Sequence, residues 1–158
     1  MTTTKSFDLP TRTATRRLAE QVAPLLKGGD LLVLSGPLGS GKTFFARELC
    51  RALGLPRNTR VTSPTFTLVQ EYDTQPAVAH ADLYRLSNVE QVRELGLDAA
   101  RDEGRLLVVE WGEPYVDFLG GDAVVLELFV DPRRAVLRAT GPASQAVIRG
   151  LSALDRSA

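Results

Sequence analysis

The chain has 158 residues, 44% hydrophobic and 24% charged, which is about one domain with apolar material for a core and excludes wholesale disorder. Lysine plus arginine equals aspartate plus glutamate at 19 each, so the basic surplus of a protein that grips a nucleic-acid backbone unaided is absent, although a local basic patch is still allowed. Cys50 is the only cysteine, which excludes an internal disulfide and a cysteine zinc site; the opening MTTTKSFDLP lacks a signal-peptide core and no run approaches membrane-spanning length, so a cytoplasmic protein away from membranes is expected.

The opening SFDLP reads as a short edge strand ended by Pro10. Residues 13–27 read as a helix, with Ala14, Leu18, Val22 and Leu25 on one stripe, Thr11 or Thr13 as N-cap and Gly28-Gly29 as the stop. Pro24 is expected to kink or shorten it. Leu31-Leu32-Val33-Leu34 is continuous apolar sequence, suited to a strand buried on both faces. A helix from about Lys42 to Leu53 buries Phe45 and Leu49, with Cys50 a small buried side chain, and stops at Gly54. Residues 56–64 form a turn-rich loop carrying Arg57 and Arg60. Strands follow near Phe66–Tyr72 and Val78–Tyr84. Ser87-Asn88-Val89-Glu90 has the form of a capping box opening a short helix to about Gly96. Leu106–Val109 is a second fully apolar strand, and Val124–Val130 and Ala135–Thr140 read as a hairpin around Asp131–Arg134 with proline placed for a type I turn. The tail from Pro142 reads as a closing helix. Strands and helices alternate, so the class is α/β with a largely parallel sheet and some antiparallel edge.

Gly36-Pro37-Leu38-Gly39-Ser40-Gly41-Lys42-Thr43 matches G-x-x-x-x-G-K-[ST], and it lies between an apolar strand and an amphipathic helix, the context that motif needs. Gly39 and Gly41 admit backbone conformations that turn successive N–H groups inward as an anion nest, and the following helix points its positive end at the same place. Gly36, Leu38, Gly39, Ser40, Gly41, Lys42 and Thr43 are therefore the expected nucleotide-binding set. Lys42 should reach the β- and γ-phosphates and the Thr43 hydroxyl should ligate Mg²⁺. No N-K-x-D guanine-reading motif occurs, and Asp117–Gly120 satisfies D-x-x-G only after a proline-containing loop, so ATP is preferred over GTP.

Such a site needs a carboxylate at a neighbouring strand end. Glu110, closing the apolar run Leu106–Val109, has the usual placement; Asp82, after Val78–Ala81, competes for it, and both can serve, one at the metal and one at water. His80, the only histidine, excludes a histidine-cluster metal site and reads either as a helper of Asp82 or the phosphates, or as a strand histidine with a backbone partner. Thr65 and Thr67 fall on one face of the expected strand, with Thr65 nearer the loop and favoured to position water. Trp111 reads as a strand-end cap or a nucleotide neighbour, and Arg133 and Arg134 as solvated turn residues, Arg134 with a stacking role open to it.

Ser63-Pro64-Thr65-Phe66-Thr67-Leu68-Val69, His80-Ala81-Asp82-Leu83-Tyr84-Arg85-Leu86 and Val109-Glu110-Trp111, following this phosphate loop, resemble TsaE, the ATPase subunit of the bacterial tRNA threonylcarbamoyladenosine system. The resemblance runs from the N-terminal helix to the terminal hairpin. It implies a role in modifying adenosine 37 of tRNAs, with the subunit binding the TsaD–TsaB pair and hydrolysing ATP to reset it, without performing the transfer itself. Contact with tRNA is then indirect. It further implies that Ser63–Thr67 is a switch-like loop, Asp82 an acid needed for hydrolysis, Glu110 a magnesium-site acid and Trp111 a neighbour of the nucleotide, with Arg12 and Arg134 near the base. Phe44 departs from the family, which often has a second threonine there, and Gly112-Glu113 is a variable stretch.

The expectation is a single domain over residues 1–158, a P-loop NTPase-like three-layer fold with a mainly parallel central sheet and antiparallel edge strands. Lys42, Asp82 and Thr65 carry hydrolysis, and Thr43 and Glu110 hold Mg²⁺. Two rivals are a small P-loop kinase, which would need a lid that residues 98–105 are too short to supply, and a nucleotide-gated interaction module with little turnover.

Overall fold

Uninterrupted apolar strands need cover on both faces, and the central strands have it. The computed structural model describes residues 3–157, with side chains as far as Leu154. In chain order the elements are β1 (Thr4–Asp8), α1 (Arg12–Val22), a 3-10 turn (Ala23–Leu25), β2 (Leu31–Ser35), α2 (Lys42–Ala52), β3 (Val69–Tyr72), β4 (Val78–Asp82), α3 (Val89–Arg93) and α4 (Leu97–Asp102). They continue with β5 (Leu106–Glu110), a second 3-10 turn (Glu113–Tyr115), β6 (Ala123–Val130), β7 (Arg133–Ala139) and α5 (Pro142–Ser157). The seven strands form one sheet in the order β1-β7-β6-β2-β5-β4-β3. The inner run β6-β2-β5-β4 is parallel, while β7 and β1 at one side and β3 at the other are antiparallel.

Alternation divides the core between two faces. Leu32 and Leu34 face Phe45, Leu49, Leu18 and Ile148, which places α1, α2 and α5 on one side. Leu31 and Val33 face Val92, Leu97, Tyr115 and Leu119, which places α3 and α4 on the other. The result is the expected three-layer α/β arrangement with antiparallel strands at the rims.

Boundaries moved where local chemistry outweighed periodicity. Thr11 is the N-cap of α1, accepting from Ala14 N at 3.1 Å, and the helix ends at Val22 because Pro24 lacks an N–H and opens the 3-10 turn instead. β3 begins at Val69, three residues later than Phe66. Residues 65–67 form a turn, with Leu68 N donating to Pro64 O at 2.7 Å and Leu68 at φ 68°. Thr65 and Thr67 therefore do not share a strand face. The helix cap after β4 is Asn88, accepting from Gln91 N at 2.9 Å, while Gln91 Oε1 accepts from Ser87 N at 2.8 Å. The capping pair is shifted by one residue from Ser87/Glu90 because amides reach both N–H groups. Gly96, at φ 72°, then starts α4, a helix the sequence reading did not anticipate.

The expected type I turn is also replaced. Val130 pairs with Arg133 across the two-residue connection Asp131-Pro132, whose peptide bond is cis, so Arg133 and Arg134 belong to β7.

Candidate functional site at the ends of the parallel strands

Parallel pairing brings the C-terminal ends of β2, β5 and β4 to one rim. Leu34 pairs with Glu110, and Glu110 with Asp82. The loop leaving β2 must turn tightly there. Gly36, at φ 140°, has no room for a side chain, since a Cβ would come within 2.6 Å of Ser40 Oγ and 2.7 Å of Leu128 O. Gly41, at φ 103°, precedes the first turn of α2, an 11-residue helix with no side-chain cap on its leading N–H groups. The Ser40 hydroxyl in this loop is buried and has no partner among the described residues.

Lys42 Nζ donates to Gly36 O at 2.6 Å and Pro37 O at 3.0 Å, and lies 4.4 Å from the centre of the Trp111 ring. Desolvation holds its pKa below the ordinary lysine value, opposed by the negative charges of Glu110, Asp82 and Glu113. Thr43 Oγ1 is 3.1 Å from both carboxylate oxygens of Glu110. His80 Nε2 is 2.7 Å from Glu110 Oε2. Asp82 is held from both sides: Oδ2 accepts from Ser63 Oγ at 2.6 Å and Oδ1 from Tyr84 N at 3.0 Å, with Thr65 Oγ1 farther from Oδ2 at 3.5 Å.

A cavity of about 480 Å³ opens over this rim, walled by Lys42, Thr43, Ser63, Asp82, Glu110 and Trp111. Leu38, Gly39, Gly41 and Thr65 line it as well. A second cavity of about 310 Å³ lies on the far side of Gly39 and Gly41, bounded by Thr11, Arg12, Phe44 and Arg133. Phe44 lines both, its ring centre 5.6 Å from the guanidinium of Arg12 and 4.8 Å from that of Arg47.

Most of the residues singled out from sequence therefore converge. Arg134 does not: its guanidinium lies 4.0 Å over the Phe129 ring, and Arg133 lines the smaller cavity and reaches Ser40 O at 3.5 Å. Strand alternation sends the two arginines to opposite faces, a signal hidden while both were read as turn residues. Ser63, expected only as part of the switch-like loop, bonds Asp82 directly, and His80 contacts Glu110 instead of Asp82.

Among the described residues no three His, Cys, Asp or Glu side chains group to hold a metal alone. A hydroxyl and a carboxylate side by side are hard oxygen donors, the set suited to Mg²⁺ that keeps waters and takes its remaining ligands from phosphate. With an orphaned hydroxyl and a glycine-built cradle beside them, the residues fit a magnesium–nucleotide group.

Residues 9–136 match the TsaE family, described as threonylcarbamoyl adenosine biosynthesis protein TsaE. The chain is similar to the tRNA threonylcarbamoyladenosine biosynthesis protein TsaE of Aquifex aeolicus, 42% identical over 110 residues, covering 69% of this chain and 77% of that protein. The protein of the same name from Streptomyces coelicolor is 39% identical over 117 residues, covering 72% and 77%. That of Rickettsia felis is 44% identical over 100 residues, 63% of this chain, and the match spans only 57% of its length. The crystal structure of Bacillus subtilus YdiB superposes with a TM-score of 0.79 at 27% identity, covering 98% of each chain. With the family match spanning residues 9–136, the chain belongs to the TsaE family of threonylcarbamoyl adenosine biosynthesis proteins.

Proposed function

We propose that this chain binds MgATP and hydrolyses it in the cytoplasm, in the service of tRNA threonylcarbamoyladenosine formation at position 37, acting on the TsaD–TsaB pair. The observation that carries this reading is the meeting of Thr43 and Glu110, 3.1 Å apart, in the same cavity as Lys42 and Asp82. Thr43 and Glu110 would hold Mg²⁺, which when bound would supply positive charge to offset the negative charge of the nucleotide's phosphates. Lys42, kept beside the loop by two carbonyls, offsets developing negative charge. Asp82, fixed by Ser63 and the Tyr84 amide with Thr65 nearby, orients water toward the terminal phosphate. Phosphoryl transfer asks for this kind of electrostatic placement and little covalent chemistry from the protein. Arg12, with Arg133 across the smaller cavity, is suited to the base end of the nucleotide. Zero net charge agrees with partners that carry the tRNA contact.

Trp111, the only tryptophan, reports on the site directly. MgATP should change its emission in the wild type and leave Lys42→Ala unaltered. Phosphate release should rise when purified TsaD–TsaB is added. No emission change with the wild type, or no association with the pair, overturns the reading, and stoichiometric phosphate transfer to a metabolite would favour a kinase.

A further inference from the structure

His80 is the only histidine of the chain and has no exposed surface in the middle of β4. Pairing sets His80 beside Val108 and Asp82 beside Glu110, so His80 and Glu110 are diagonal neighbours on the sheet face that carries α2. The imidazole spans that diagonal, Nε2 at 2.7 Å from Glu110 Oε2. Carboxylate oxygens act as acceptors, so the pairing calls for the tautomer with its hydrogen on Nε2, in which His80 donates. Its other nitrogen, Nδ1, is buried and has no partner among the described residues. A histidine kept only for packing would gain nothing from an orphaned ring nitrogen, whose burial costs free energy, and an apolar side chain would avoid that cost.

Glu110 is itself 2% exposed, and Thr43 is its other hydrogen-bonding neighbour at the rim. We infer that His80 is a positioning residue for the divalent cation: its Nε2–H holds Oε2 of Glu110 and so fixes the rotation in which the carboxylate, together with Thr43, faces the metal of a bound nucleotide. The inference rests on the magnesium-nucleotide reading of the site. Hydrogen-bonded partners behind metal-binding groups commonly change metal affinity by about 10- to 100-fold.

Geometry supplies a discriminating pair of variants. In histidine Nε2 is four bonds from Cα, and so is the amide nitrogen of glutamine; the asparagine amide nitrogen is only three bonds away, matching Nδ1. The Mg²⁺ concentration needed for half-maximal Trp111 response at fixed ATP should rise about tenfold or more in His80→Leu and His80→Asn. In His80→Gln it should stay within about threefold of wild type. Thermal melts of all four proteins accompany the titrations. An equal rise in all three variants that tracks their loss of melting temperature makes His80 a packing residue and overturns the inference, as does a midpoint unchanged in His80→Leu.

The ring itself gives a measurement that needs no nucleotide. In tag-free protein the ¹⁵N pattern of the single imidazole should show Nε2 protonated and Nδ1 bare, and Glu110→Gln should alter it; the opposite tautomer overturns the inference. A wild type that binds ATP indifferently to magnesium, while showing the expected tautomer, instead removes the proposed cofactor and with it the metal role of His80.

Discussion

Asp82 is positioned by Ser63, which the sequence placed in a switch-like loop without a role of its own. Ser63 donates to it across 2.6 Å, whereas Thr65, the hydroxyl favoured from sequence, stands at 3.5 Å. A hydrogen bond to a charged group contributes about 1.5–3 kcal/mol, and about 1.4 kcal/mol is a factor of ten in rate. Ser63→Ala should therefore slow phosphate release about tenfold or more in the folded protein, and Thr65→Ala less than about threefold; equal effects would give Thr65 an equal share in holding Asp82. The glycine loop between β2 and α2 and the rim position of Glu110 were legible because each is announced locally, by a strand–turn–helix spacing and by the end of an apolar run. Ser63 was not, because its meaning depends on a partner 19 residues away, and Arg133 was not, because its partner in the loop is 93 residues away. Composition carries no trace of which loop folds back onto which strand.

Elements were legible where a breaker or cap was written into the chain, and less so where two capping residues compete. Pro24, Gly54 and Pro142 all mark real boundaries, while the Ser87-Asn88 pair and the Phe66–Leu68 turn were decided by hydrogen bonds that periodicity does not register. The start of α5 shows how tertiary structure supplies a cap. Asp122, just before β6, accepts from Ala143 N at 2.8 Å, Ser144 N at 3.0 Å and Ser144 Oγ at 2.6 Å, and Gly141 is required beside it because a Cβ there would approach Asp122 Cγ to 2.5 Å. Burial pushes the Asp122 carboxyl up, but the Ser144 hydroxyl and the Ser144 and Ala143 amides outweigh it and leave the pKa below the ordinary value of 3.8. A depressed carboxylate stabilises the fold above its unfolded pKa and loses that contribution as pH falls through the folded one. Asp122→Ala should lower unfolding free energy by about 1–2 kcal/mol at pH 7, the usual worth of a helix cap, and the gap to wild type should narrow below about pH 4. Urea unfolding at both pH values checks this, and a gap independent of pH would mean the charge is irrelevant.

On the scale of the whole molecule, the two ends of the parallel strands do different work. At their N-terminal end, Gly29 N donates to Arg105 O at 3.0 Å, and Gly28 packs so closely on the other loop that a Cβ would stand 2.3 Å from Gly104 O. Gly28→Ala should destabilise the fold by about 1–3 kcal/mol through forced displacement of backbone, seen as a lower urea midpoint, while the Trp111 response to MgATP survives in the folded protein. A lost response at unchanged stability would show the two ends to be coupled. The overall α/β order was readable because unbroken apolar runs and the glycine-bounded loop are long-range features of pattern; the sheet order, with the β6–β7 hairpin between β1 and β2, was not encoded in any one segment. At the opposite end the backbone carries a different burden. Among the described residues, only Leu68 and Trp111 hold left-handed torsions without being glycine, at φ 68° and 61°, and they flank Asp82 and Glu110. Each conformation costs on the order of 1 kcal/mol or more and persists only because its surroundings insist on it. Conformational tension in this scaffold is thus gathered within one strand's width of the two acids, so relaxing either residue toward a commoner geometry would firm up the protein and, in the same move, slacken the two carboxylates beside it.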